Sequence, residues 1–306
     1  MIQDIAPSKL HNEYHPWSPS LQDTVFYFTK KGRALVKSTP GGCDFLTWEE
    51  LGKVLEEAGK SFLGTEAAIY LFSVDDNRYY LYFPELLAET QDPKNPGDWE
   101  ASSLEACSLF PLVCREIREI RDEMDGVEVY AAFTAYHLWR WYADQRFCGR
   151  CGKPLVLDAM ERAMRCPDCG NLIFPRINPA VIVGVIHGEE LLLTKYRTGY
   201  GHNALVAGFT EIGETLEETV TREVMEETGL HVKNIRYYKS QPWGMAQDIL
   251  VGYYCDVDGD PTIVMDEHEL KYADWVKREE IELQPNSLSL TNEMMRMFKE
   301  GKICAK

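Results

Sequence analysis

No stretch of this sequence approaches the ~20 consecutive apolar residues of a membrane-spanning helix. Nor does the chain open on a basic segment followed by an apolar run: Met1 to Trp17 mixes charge, proline and histidine. From these absences neither a spanning segment nor an export leader is expected, and the expected compartment is the cytosol. Basic charge is scarce as well. With 32 lysines and arginines against 49 aspartates and glutamates the net charge is −17. Such a surface repels polyphosphate backbones at long range, so sequence-independent nucleic-acid binding is disfavoured unless basic residues cluster locally. The acidic excess reads first as a solubility device and identifies no function. Long internal repeats and low-complexity tracts are missing too.

What is present is enough for several domains. At 306 residues and 45% hydrophobic content the chain exceeds one ordinary domain and can fill well-packed cores. Thr24 to Thr29, Ala67 to Val74 and Arg78 to Phe83 are rich in aromatic and β-branched residues and are predicted as strands. Thr47 and Glu50 have capping-box spacing before a helix through Leu51, Val54 and Leu55. A polar stretch from Glu89 to Trp99 reads as a loop, and helical periodicity returns through Leu109 to Met124 and Tyr130 to Tyr142. Residues 1–143 are therefore expected to form an α+β domain, residues 144–176 a compact cysteine unit, and residues 177–306 a mixed α/β catalytic domain. In the last, Ala180 to Ile186 and Leu191 to Tyr196 form a hairpin around His187 to Glu190. Further strands are expected near Val232 to Ser240, Ile249 to Val257 and Ala273 to Val276, and a closing helix near Thr291 to Phe298.

Nine cysteines cannot all pair internally, and without an export signal they are expected as reduced thiols or metal ligands. Cys148-Gly-Arg-Cys151 and Cys166-Pro-Asp-Cys169 are two C-x-x-C pairs with fourteen residues between them, the spacing of a zinc ribbon. Each pair can present two thiolates from a tight turn, helped by Gly152 and Gly170. Four soft ligands close a tetrahedral shell, so zinc here is expected to be structural. Arg150, Lys153, Arg162 and Arg165 are expected to offset the tetrathiolate charge. Redox-active thiols are the weaker alternative. A ribbon can also bind nucleic acid; in an acidic chain, bracing of domains is the more economical role. Cys43, Cys107, Cys114, Cys255 and Cys304 lack such partners and read as packing residues.

The segment from Gly208 to Leu230 carries the chemistry. Thr215 and Glu218 form a capping box, Leu216, Val220 and Val224 an apolar stripe, and Gly229 a stop. At roughly 100° per residue Glu223, Glu226 and Glu227 project within about 100° of one another, beside that stripe rather than opposite it. Three carboxylates at a core margin need compensating charge. Divalent cations provide it, and magnesium, which keeps waters and binds through a few carboxylates plus substrate phosphates, suits an open cluster. Arg222 is placed to orient one glutamate. His202, His231 and His268 read as ordinary surface or packing residues.

From Gly208 to Leu230 the sequence matches G-x5-E-x7-R-E-U-x-E-E-x-G-U, with U aliphatic, at every specified position, and so resembles the Nudix hydrolases. The resemblance implies the Nudix fold, a mixed sheet between helices, preceded here by the ribbon and an N-terminal α+β domain. It implies that Glu223, Glu226 and Glu227 hold magnesium or manganese, that Glu227 or a neighbour activates the attacking water, that Arg222 orients the cluster and that Gly208 and Glu214 shape the loop. The ribbon, Phe174-Pro-Arg-Ile-Asn-Pro179, the Nudix box and Ser240-Gln-Pro-Trp243 occur in the order of the NADH pyrophosphatase subfamily, a likeness covering about Tyr136 to Trp275. That subfamily splits NAD(H) into nicotinamide mononucleotide and AMP as a homodimer, and some members remove NAD caps from RNA. Carried over, Glu269 joins the metal site, Phe209 and Phe174 flank the nicotinamide, Phe174 across the dimer, and Gln241, Trp243 and Ala207 complete the substrate site. One departure stands out. Where the subfamily continues P-F-P-x-S after the tryptophan, this chain has Gly244-Met-Ala-Gln-Asp248, expected as a loop of greater freedom with an added negative charge at Asp248. Three readings stay open: NAD(H) diphosphatase, hydrolase of another nucleotide pyrophosphate such as ADP-ribose or a dinucleoside polyphosphate, and a non-enzymatic nucleotide sensor, against which the complete glutamate set argues.

Overall fold

The computed structural model describes residues 1–87, 108–198 and 201–306. The chain divides into two compact units, Ile5–Arg176 and Ile177–Lys306 with Met1–Asp4. Among the described residues no helix is long and apolar enough to cross a membrane. The predicted loop at Glu89 to Trp99, and Cys107, lie outside the described residues.

In the unit Ile5–Arg176 a five-stranded sheet runs in the order Leu10–His11, Ala68–Val74, Asn77–Tyr82, Thr24–Phe26, Leu46–Thr47. Its helix Trp48–Glu57 begins at the expected box: Glu50 N donates to Thr47 Oγ1 at 3.2 Å and Thr47 N to Glu50 Oε2 at 2.8 Å. That helix buries Leu51, Val54 and Leu55 against the sheet. Leu109 to Met124 is not one helix, as its periodicity suggested. Leu112–Arg115 is a strand paired with Ala34–Thr39, and a helix, Ile117–Glu123, starts only afterwards. Its pattern of alternate burial, with Leu112 and Cys114 buried, is the period-2 signature of a strand, which four residues were too few to announce. A long helix, Gly126–Asp144, is capped by Asp125, whose carboxylate accepts from Glu128 N at 3.0 Å. The ribbon adds three short strands, Val156–Leu157, Met164–Arg165 and Leu172–Ile173.

The unit Ile177–Lys306 is built on a sheet in the order Val232–Trp243, Asp248–Val257, Asn178–His187, Glu190–Tyr196, Leu270–Lys277, with Val206–Phe209 also paired to Asn178–His187. Asn178–His187 and Asp248–Val257 run parallel, and Ile186↔Leu191 and His187↔Glu190 close the expected hairpin. Strand alternation sorts the side chains. Val181, Val183, Val185, Val206, Val251, Tyr253 and Cys255 pack with Val220 and Val224 of the helix Leu216–Thr228. Ile182, Ile186 and Tyr254 pack with Leu290, Met294, Met295 and Phe298 of the helix Leu290–Lys299. Each such fully buried apolar side chain contributes about 1.5 to 3 kcal/mol of transfer free energy. The sheet is thus a mixed one between helices. Ser240 to Asp248, expected to end in a loop, is a tight hairpin. The strand runs on to Trp243, Trp243 pairs Asp248, and only Gly244 to Gln247 turn.

Candidate active site and metal centre

The helix Leu216–Thr228 has its box in place, with Glu218 N donating to Thr215 Oγ1 at 3.2 Å and Thr215 N to Glu218 Oε2 at 2.7 Å. It stops at Gly229, left-handed at φ 69°, whose N–H reaches Met225 O at 2.9 Å. Along this helix Arg222 is a hub. Its Nε and Nη2 take Glu214 Oε1 and Oε2 at 2.6 and 2.9 Å, a bidentate pair, and Nη1 takes Glu223 Oε1 at 2.7 Å and Glu226 Oε2 at 2.9 Å. Nη2 also donates to Phe209 O at 2.9 Å, tying the helix to the strand Val206–Phe209. The guanidinium holds Glu214 far below the usual carboxylate range, at about 2. Beneath this hub, Gly208 leaves room for a carboxylate: a Cβ there would lie 1.9 Å from the Glu223 carboxyl carbon. No side chain fits unless Glu223 moves.

Glu227 is buried, with 2% of its surface exposed. Tyr196 Oη donates to its Oε1 at 3.1 Å, and Ala207 N donates to Tyr196 Oη at 3.2 Å. Burial pushes Glu227 up to about 8; the Tyr196 hydrogen bond opposes the rise, and the charges of Glu223 and Glu269 add to it. Glu223 is raised too, by burial first, against the pull of Arg222. Glu269 is exposed, in the segment entering the strand Leu270–Lys277, and that segment is tied to the helix by Asp266 N donating to Glu227 O at 2.9 Å. Glu223 thus feels the charges of Glu226 and Glu269, and Glu227 those of Glu223 and Glu269, while the Glu226 side chain, 60% exposed, leans out along Arg222. Tyr196 is the residue that the sequence did not reveal. It closes a predicted strand, and nothing local links it to a glutamate thirty-one positions on.

In the ribbon the four cysteine sulfurs lie within 4.8 Å of one another. Two knuckles of the same design hold them. Gly152 N donates to Cys148 O at 2.8 Å and Cys148 N to Lys153 O at 2.8 Å; Gly170 N donates to Cys166 O at 3.0 Å and Cys166 N to Asn171 O at 2.9 Å. Gly152 and Gly170 have φ of 72° and 71°, the left-handed angle those turns require. The donor set fits a closed structural zinc ion. Two of the nearby cations are engaged elsewhere, contrary to expectation. Arg165 pairs with Asp158, and Arg162 lies over the Tyr14 ring and donates to Leu71 O and Asn12 O, clamping the ribbon to the N-terminal sheet. Their long side chains thus serve backbone carbonyls and the buried Asp158 carboxylate.

Residues 176–298 match the model of the NUDIX domain, and residues 143–174 that of the NADH pyrophosphatase zinc ribbon domain. The NAD-capped RNA hydrolase NudC of Yersinia pestis (strain Pestoides F) is 35% identical over 191 residues, covering 62% of this chain and 73% of that protein. The chain belongs to the NADH pyrophosphatase family of Nudix hydrolases. The protein of the same name from Klebsiella pneumoniae (strain 342) is 39% identical over 171 residues, covering 55% of this chain and 65% of that protein, just under two thirds of its length. A crystal structure of a Nudix hydrolase from Nitrosomonas europaea aligns with a TM-score of 0.45 at 21% identity, over 51% of this chain and 91% of that one.

Within this Nudix unit, the residues expected to meet substrate divide into two groups. Ala180↔Phe209, Asn178↔Asp248 and Trp243↔Asp248 are register pairs, so Phe209, Ala207, Trp243 and Asp248 share the sheet face that carries the helix Leu290–Lys299. Phe209 is 52% exposed there. Gln241 lies on the same face but is fully buried. Its Nε2 donates to Leu288 O at 2.8 Å and Gln3 Oε1 at 3.1 Å, and its Oε1 accepts from Leu290 N at 2.8 Å. It anchors the closing helix and has no polar atom at the surface. Asp248 also departs from expectation. Rather than adding surface charge, its carboxyl is buried and Oδ1 has no hydrogen-bond partner; burial pushes it up to about 6. Phe174, 55% exposed, belongs to the other compact unit.

Proposed function

We propose that the chain hydrolyses the pyrophosphate bond of NAD(H), giving nicotinamide mononucleotide and AMP, and that the same step removes NAD caps from RNA. The observation that carries this reading is the crowding of Glu223 and Glu227: two carboxylates raised by burial first and then by neighbouring carboxylates, Glu226 and Glu269 for Glu223, Glu223 and Glu269 for Glu227, with one arginine shared among three partners. Such a site is short of positive charge, and the deficit fits divalent cations.

In this proposal Glu223, Glu226, Glu227 and Glu269 hold magnesium or manganese. Cations held there would neutralise phosphate oxygens and acidify a water. Arg222 fixes Glu223 and Glu226 in rotamer and keeps Glu214 ionised. Glu227, or a neighbouring carboxylate, takes the proton of the attacking water, and Tyr196 orients Glu227 through its hydroxyl. Water adds to one phosphorus, the bridging P–O bond breaks, and the leaving phosphate departs with the electron pair. Phe209 and Phe174 flank the nicotinamide, with Ala207 and Trp243 beside them; Gln241 acts by anchoring the helix behind that face. The four cysteines hold a structural zinc ion. The protein acts in the cytosol as a homodimer, with an N-terminal domain over residues 1–143, a ribbon over 144–176 and the catalytic domain over 177–306. The short Gly244 to Gln247 turn lacks the subfamily's prolines, which favours some turnover of other nucleotide pyrophosphates such as ADP-ribose.

The test is an assay of the purified chain with magnesium or manganese over NADH, NAD, NAD-capped RNA, ADP-ribose and a dinucleoside polyphosphate, with products identified. NADH should yield nicotinamide mononucleotide and AMP. Preferred turnover of ADP-ribose or a dinucleoside polyphosphate would move the assignment to those substrates, and no turnover of any would leave a nucleotide sensor.

A further inference from the structure

The unit Ile5–Arg176 holds a cavity of about 270 Å³ that no catalytic residue lines. Its apolar wall is aromatic: Phe28, Phe83 and Trp139 contribute, with the Phe28 and Trp139 rings 5.2 Å apart and each only 4% exposed. Lys30, Arg140 and Arg146 line the same space. Arg146 is fixed over the Phe83 ring, 5.8 Å from its centroid, and donates to Glu85 O. Arg140 sits 3.3 Å from Asp144, which Arg176 also approaches at 3.7 Å. Three lining cations thus face two lining carboxylates, Glu85 and Asp144. In a chain with 49 acidic and 32 basic residues, three cations among the described residues lining one aromatic-walled space depart from the average surface.

Aromatic rings beside guanidinium and ammonium groups are the combination that holds a base and its phosphate. The volume lies just under the roughly 300 Å³ at which ordinary ligand pockets begin. It suits one nucleotide unit and is too small for an intact dinucleotide. We propose that this cavity is a second, non-catalytic site for a nucleoside monophosphate unit, its base against Phe28, Phe83 and Trp139 and its phosphate on Lys30, Arg140 and Arg146. The unit is either free or carried by a single-stranded RNA; the cations and rings recognise both in the same way. The inference is independent of the hydrolysis assigned above, because it predicts binding rather than turnover.

Amide hydrogen exchange on the full chain tests it, with AMP, a short single-stranded RNA and inorganic phosphate as separate probes. AMP or RNA should slow exchange in peptides covering Phe83 to Glu85 and Trp139 to Arg146. Stronger protection by RNA than by AMP identifies the chain-borne source, and the reverse the free one. In the double variant Lys30→Glu, Arg140→Glu the half-saturating concentration should rise on the order of tenfold, as expected for lost charge-assisted contacts. Arg140→Gln provides a milder change should the reversal disturb the helix, with a smaller shift in the same direction. NADH turnover should be unaltered in both. Protection confined to the catalytic unit, equal protection by inorganic phosphate, or unaltered binding in both variants would overturn the proposal.

Discussion

The four cysteines of the ribbon and the glutamates Glu214, Glu223, Glu226 and Glu227 of the Nudix helix region are both charge clusters, and they are held in opposite ways. In the ribbon the backbone does the positioning: paired knuckles, each closed by backbone N–H···O bonds, bring the sulfurs within 4.8 Å of one another. At the helix Leu216–Thr228 side chains hold side chains. Arg222 takes oxygens of Glu214, Glu223 and Glu226, and Tyr196 takes Glu227. The first arrangement closes a shell; the second leaves carboxylates raised by burial and in need of cations. A closed shell stabilises a fold, and an open, under-compensated one can bind and release a polyphosphate.

The largest expected effect tests the closed side of that contrast. Structural zinc in small ribbons contributes on the order of 10 kcal/mol of apparent binding free energy to folding. Cys166→Ser should therefore abolish zinc retention, measured by elemental analysis of washed protein, and lower the unfolding temperature sharply. Zinc content and stability both unaltered would end the structural-zinc assignment. On the open side, Glu227→Gln should cost ~10² to 10⁴ in turnover while leaving the unfolding temperature near or above that of the parent chain. The stability half follows from burial: a neutral amide at a 2% exposed position avoids the cost of a buried charge. Near-normal turnover would exclude Glu227 from the centre.

The same contrast explains what was legible in the sequence. Local devices were: the two capping boxes, the Gly229 stop, the C-x-x-C knuckles, the hairpin around His187 to Glu190 and the apolar stripe of the glutamate helix all depend on residues a few positions apart. Long-range devices were not. Tyr196 reaches Glu227 only because two strands and a helix converge, and Arg162 reaches Leu71 across ninety-one positions. Gln241 lay in a motif that suggested substrate contact, yet folding turns it inward to Leu288 and Leu290. Leu112–Arg115 was absorbed into a helical pattern because four residues carry too little periodicity to outweigh their neighbours.

A smaller change separates backbone from side-chain control within the open site. Gly208→Ala places a Cβ where the Glu223 carboxyl now lies, so Glu223 must swing away although its own chemistry is intact. If Glu223 holds the cation as proposed, its displacement should lower divalent-cation affinity or turnover by about 10- to 100-fold. The double variant Gly208→Ala, Glu223→Gln should then be little worse than Glu223→Gln alone, since both changes act through one carboxylate. Fully additive losses would show that Gly208 acts by another route.

The smallest effect concerns a carboxyl that belongs to neither cluster. Asp248 is buried in the hairpin at the edge of the proposed substrate face, with Asn178 as its hydrogen-bonding neighbour and one oxygen without a partner. Burial raises it from the ordinary 3.8 to about 6, so between those values the folded chain carries a proton that the unfolded chain has released. Stability must fall as pH rises through that window: the favourable contribution is complete below the unfolded value and gone above about 6. After allowance for solvent near the sheet end, the loss should be about 1 to 2 kcal/mol. Asp248→Asn keeps the shape without the charge, so it should flatten this part of the profile and raise stability at neutral pH by the same amount. Urea unfolding across the range, with the parent chain alongside, reads both changes. If the parent is instead stabilised as pH rises from 4 to 6 relative to the variant, the Asp248 carboxylate has a cationic or donor partner in the folded chain, and Asp248 then belongs with Glu214, held ionised by its neighbours, and not with Glu227.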